Sequence, residues 1–223
     1  MKIYMDSEFV DDGKTIDLIS IGLVSEDGRE IYLQSVEFDP SKASQWVKDN
    51  VLSHLPLCPH ANVTTDSRQP YVQDIHYHNH RGQCTFERPA KGITGLSGVK
   101  MSGGFLIGAH ADCFWRTREQ IRNEIIAFCD PEQYGKPDFV VWCGGFDFVA
   151  FCQLFGTMMD LPSSFPHYFK DLQNALDERG IPDHDLPVQE GTTHNAISDA
   201  RYIKLVWEAI VNPLYRSPTS RME

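Results

Sequence analysis

Ile3-Tyr4-Met5-Asp6-Ser7-Glu8-Phe9-Val10 decides the reading of this chain. It has the composition of a buried β-strand, yet it carries two acids at alternating positions. Successive side chains of a strand point to opposite faces, so Asp6 and Glu8 share one face about two residues' rise apart. Burying two like charges without a counter-ion costs several kcal/mol each. A divalent cation between the two carboxylates is the simplest compensation. A solvent-facing polar pair on an edge strand is the plainer alternative, and the apolar neighbours argue against it.

Outward from this strand, Asp11-Asp12-Gly13-Lys14 is a turn signal and Ile16 to Val24 is apolar enough for a central strand. Ser25-Glu26-Asp27-Gly28 turns the chain again, and Glu30 to Phe38 completes an antiparallel meander. Asp39-Pro40-Ser41 opens a helix expected to run through Trp46 and Val47 towards Leu52. A second helix is expected from Thr117 to Cys129, where Ile121, Ile125, Phe128 and Cys129 form one apolar stripe. Phe139 to Cys143 reads as a short buried strand, Phe148 to Phe155 as the helix after it, and Asn195 to about Ile210 as the last long helix. The whole suggests one α/β domain over 1–223, interrupted by an insertion over 55–112. The insertion contains a candidate hairpin, Val72 to His78 and Gln83 to Glu87 around Asn79-His80-Arg81-Gly82. A glycine-rich stretch follows from Gly92 to Gly108, expected to be a mobile lid or a dimer contact.

The 223 residues suffice for one large domain and its core, and the formal charge of −11 argues against broad phosphate neutralisation on long nucleic acid. An enzyme gripping a few nucleotides through metal ions stays within that limit. No apolar run has the length of a membrane span, and the first residues enter a strand with no signal-peptide pattern, so the expectation is a soluble, cytoplasmic protein. The six cysteines contain no CxxC pair, and most read as reduced core residues. Cys58, His60, His76, His78, His80 and Cys84 are zinc-ligand types, but their spacings match no standard pattern, which favours a polar, solvated hairpin. No GxxxxGK[ST] phosphate loop is present.

Two further segments carry candidate chemistry. Asp147, in Cys143-Gly144-Gly145-Phe146-Asp147-Phe148, stands between a buried strand and its following helix, where α/β sheets place ligands. Taken alone it reads as an ordinary helix cap. His194 and Asp199, in Thr193-His194-Asn195-Ala196-Ile197-Ser198-Asp199-Ala200, fall at the start of the last helix, with Asp199 expected to project inward from its second turn.

Four carboxylates and one histidine in the order Asp-x-Glu, Asp, His-x4-Asp resemble the DEDDh 3′-5′ exonucleases of the ribonuclease H-like superfamily. Within that group the chain resembles the branch of the polyadenylate-specific exoribonuclease (RNase AS). The matching runs are Asp6-Ser7-Glu8-Phe9, Thr15 to Gly22, Trp115 to Arg122 and Phe146 to Gly156. The resemblance implies a mixed five-stranded sheet flanked by helices and a homodimer. It also implies release of nucleoside 5′-monophosphates from the 3′ end of single-stranded RNA. Two Mg²⁺ or Mn²⁺ ions are implied, with Asp6 bridging, Glu8 and Asp199 completing one site, and Asp147 reaching the other mainly through water. His194 is implied as the proton acceptor. Phe9 and Phe146 are candidates for stacking on the terminal base, with core packing an equal alternative, and Ser7 lies within reach of the terminal ribose. Single-stranded DNA as substrate, or a catalytically silent nucleic-acid-binding protein on the same fold, are the competing readings.

Overall fold

The computed structural model describes residues 1–56 and 114–211, together with the backbone of two short strands at 100–102 and 105–107. The candidate hairpin, its zinc-ligand types and the chain after Pro213 lie outside the described residues. So does the glycine-rich stretch, apart from those two strands.

The meander expected from the sequence is formed by β1 (Lys2–Asp11), β2 (Ile16–Ser25) and β3 (Glu30–Ser35), paired antiparallel. Lys100–Ser102 (β4) and Phe105–Ile107 (β5) pair only with each other. Trp115–Arg116 (β6), Asp138–Val141 (β7) and Lys170–Asp171 (β8) extend the main sheet to the order β6-β3-β2-β1-β7-β8. All three join in parallel pairings, so the sheet is mixed and the class is α/β. It has six strands against the five implied by the resemblance, and the two-residue strands β6 and β8 lie at its opposite edges.

The helices are α1 (Gln45–Asn50), α2 (Arg118–Phe128), α3 (Pro131–Tyr134), α4 (Gly144–Phe155), α5 (Leu172–Arg179) and α6 (Ala196–Val211). Thr117 caps α2 in a reciprocal box with Gln120, which fixes the start of that helix. The single helix expected from Pro40 to Leu52 is instead broken into a 3-10 turn (Pro40–Lys42), α1 and a second 3-10 turn (Leu52–His54). Ala43 and Ser44 are extended, and the Ser44 hydroxyl accepts the Val47 N–H to begin α1 afresh.

One face of the sheet packs against α2 and α4 through Ile3, Met5, Ile21, Leu23 and Phe139, with Ile121, Ile125 and Phe151 above them. The opposite face packs α5 and α6 over Tyr4, Val24 and Val140, while Val10, Ile19 and Trp115 meet the α1 region. Both faces are covered, which is why β2 reads as a nearly continuous apolar run. Among the described residues no helix is long and apolar enough to cross a membrane.

Candidate metal centre and nucleotide cleft

β7 pairs with β1 only across Lys2, Ile3 and Tyr4. Beyond Tyr4 the two strands separate, and the first turn of α4 fills the opening. The Ser7 backbone N–H donates to Asp147 Oδ1 at 3.0 Å, and the Ser7 hydroxyl donates to the same oxygen. Asp147 is thereby held beside β1 although its helix begins at the end of β7. This split is where the strand order reverses direction, the usual ligand position in an open α/β sheet.

Two helix starts differ from the sequence expectation. α4 begins at Gly144 rather than Phe148, so Asp147 lies inside its first turn. The Gly144 N–H is taken by Asp171 Oδ2 at 2.8 Å, which gives the early start a partner. α6 begins at Ala196, placing Asp199 in its first turn rather than its second, and His194 before the helix with φ of 58°. Asn195 acts as the cap: its side chain accepts the Ser198 N–H, and its own N–H donates to Asp199 Oδ2 at 3.1 Å.

Asp6, Glu8 and Asp199 converge, with ligand oxygens all within 4.8 Å of one another. Together with Asp147 and His194 they line a cleft of about 390 Å³, which also takes in Phe9, Trp46, Trp142, Cys143 and Phe146. Burial, then the charges of Asp147, Glu8 and Asp199, holds the Asp6 carboxyl well above the usual carboxylate range. Burial, followed by Asp199 and Asp147, pushes Glu8 up to about 8. Asp147 is raised by burial to about 6 in spite of its two bonds from Ser7. Asp199 is raised by burial against the opposing bonds from Gln189 and Asn195. Among the described residues lining the cleft there is no lysine or arginine to neutralise these acids. An all-oxygen set of uncompensated carboxylates fits a hard divalent cation such as Mg²⁺ or Mn²⁺.

The other sequence candidates fall around this centre. Phe9 and Phe146 stack on each other, ring centroids 5.6 Å apart, with Phe146 51% exposed to the cleft. Ser7 is buried and turns both its donors to Asp147, so its contribution is to the acid rather than to an open ribose pocket. Cys129 and Cys152 are buried as expected, whereas Cys143 is exposed at the start of α4, where the chain leaves the sheet.

Three residues of the site were not singled out from sequence. The side-chain amide of Gln189 donates to Asp199 Oδ1. Trp46, 53% exposed, stands edge-on to the His194 ring with centroids 4.7 Å apart. Asp171 supports the start of α4. An aromatic on a short helix and a glutamine in a loop carry no periodic or spacing signal, and the contacts of Trp46 and Asp171 join residues far apart in sequence.

No family model matches the chain. Two curated proteins do match it, both named 3′-5′ exoribonuclease and both from strains of Mycobacterium tuberculosis. Each is 32% identical over 201 residues, spanning 90% of this chain and 88% of the relative. At that identity and coverage the chain belongs to the family of these 3′-5′ exoribonucleases.

Proposed function

We propose that the protein is a metal-dependent 3′→5′ exoribonuclease of the DEDDh type, removing nucleoside 5′-monophosphates one at a time from single-stranded RNA. The convergence of Asp6, Glu8 and Asp199 with Asp147 in a cleft whose described lining holds no lysine or arginine is the observation that carries this reading. The name of the relatives supports RNA over DNA and the 3′ end over the 5′ end.

In this reading Asp6, Glu8, Asp147 and Asp199 would together hold a pair of Mg²⁺ or Mn²⁺ ions. When bound, such a pair activates a nucleophilic water and stabilises charge on the phosphate and the departing 3′ oxygen. His194, which lines the same cleft, would accept the proton from the attacking water. Ser7 and Gln189 orient the Asp147 and Asp199 carboxylates. The stacked Phe9–Phe146 pair offers its exposed ring face to the terminal base, a contact worth about 1–3 kcal/mol per base. The acidic surroundings exclude the phosphate chain unless cations accompany it. A homodimer belongs to the same proposal and is checked by light scattering.

Incubating the protein with RNA bearing either a free or a blocked 3′ hydroxyl tests the reading. The expected outcome is accumulation of nucleoside 5′-monophosphates from the free-ended RNA alone. Internal fragments from the blocked RNA, or equal loss of a matching DNA, would contradict it.

A further inference from the structure

Gly22 of β2 sits directly across from Asp6 of β1 and shares its face of the sheet. The first turn of α6 rests on that position. A Cβ built on Gly22 would stand 2.4 Å from the Ala196 carbonyl oxygen and 2.5 Å from the Ile197 nitrogen. These are backbone atoms at the start of the helix, so the obstruction cannot be relieved by rotating a side chain. Gly22 is not among the glycines with positive φ, and space rather than backbone conformation is what demands glycine there. Ala196 is fully buried, and Ala200, one turn further on, is buried with it. Asp199 projects from this same turn to bring its carboxylate within 4.8 Å of those of Asp6 and Glu8.

We propose that Gly22 is a positioning residue of the metal centre: the missing side chain lets α6 approach β2 closely enough for Asp199 to share a cation with Asp6. This rests on the metal-site reading above. Metal–oxygen bonds to Mg²⁺ tolerate little variation around about 2.0–2.1 Å, so lifting the helix separates ligands that must act together. A shift of about 1 Å in such a site can cost on the order of 10²-fold in rate.

The experiment is calorimetric titration of Mn²⁺ into the wild type, Gly22→Ala, Asp199→Asn and Ile210→Ala, with Tm recorded for each. Ile210 lies buried at the far end of α6 and serves as a packing control. Gly22→Ala is expected to bind Mn²⁺ at least tenfold more weakly, approaching Asp199→Asn, while Ile210→Ala loses Tm but keeps its Mn²⁺ affinity. Folded Gly22→Ala with wild-type affinity overturns the inference while leaving the site intact. A wild type that binds no Mn²⁺ overturns the site reading and this inference together. If Gly22→Ala does not fold, Ala200→Val applies a milder push to the same helix face. Weakened Mn²⁺ binding in that variant supports the proposal, and unchanged binding overturns it.

Discussion

The four acids of the candidate metal centre, Asp6, Glu8, Asp147 and Asp199, carry different burdens. Glu8 and Asp147 are raised to about 8 and about 6, so near neutral pH the metal-free protein keeps part of this cluster protonated. An acid whose pKa rises on folding binds more protons in the native than in the unfolded state, so stability falls with increasing pH. The Glu8 contribution is fully present below its unfolded value of 4.5 and is lost as pH climbs through about 8. With EDTA, Tm is therefore expected to fall between pH 5 and pH 8.5, and added Mg²⁺ is expected to raise it most at the alkaline end. An EDTA-treated protein that gains Tm over that interval would show that these acids do not dominate its pH response. His194 is outside the metal cluster, and His194→Ala is expected to reduce kcat by about 10²–10⁴-fold, the range for loss of a general base. Mn²⁺ affinity measured in parallel should stay near that of the wild type. At this scale the sequence was informative because strand alternation alone puts Asp6 and Glu8 on one face. Gln189 and Trp46 gave no comparable signal, since neither sits in a repeating pattern with the residue it contacts.

The elements explain how acids distant in sequence meet. β1 shifts register against β2 between Glu8 and Phe9, and the irregularity carries Ile19 to the α1 side while Leu18 joins the opposite core. The early parting of β1 and β7 admits α4, and the close seat of α6 on Gly22 brings in Asp199. Asp171 links these parts: it caps α5 through the Asn174 N–H and also receives the Gly144 N–H of α4. Asp171→Ala is expected to cost about 1 kcal/mol of stability, roughly 2–4 °C in Tm for a chain of this size. It should also slow RNA cleavage, because the turn that bears Asp147 loses its anchor. Unchanged Tm and rate would show that the anchor is redundant. The long strands and α2 were legible from apolar periodicity and caps. The two-residue strands β6 and β8 were not, because a strand that short shows no alternation and is defined only by its neighbour. The helix starts moved for a related reason: Gly144 and Gly145 look like a loop until Asp171, far along the chain, supplies a partner.

At the scale of the whole molecule, a formal charge of −11 surrounds a cleft whose described lining has no fixed cation. Affinity for a single strand should therefore come from metal ions and aromatic stacking rather than from phosphate neutralisation. For single strands the dependence of log K on log salt has a slope near −0.7 per phosphate neutralised. Binding of a short RNA to the Asp147→Ala variant is expected to show a slope shallower than about −2, corresponding to fewer than about three phosphates. A steep slope would place substantial basic contacts outside the cleft described. In the proposed function, four carboxylates assembled at the β1–β7 split make a metal-dependent enzyme that shortens RNA from its 3′ end. Its most direct measurement is a time course on 5′-labelled single-stranded RNA, with wild type and Asp147→Ala, in Mg²⁺ and in EDTA. The expected result is a ladder shrinking by single nucleotides with wild type in Mg²⁺, absent in EDTA and absent with Asp147→Ala. Cleavage that persists in EDTA, or in folded Asp147→Ala at the wild-type rate, would contradict it.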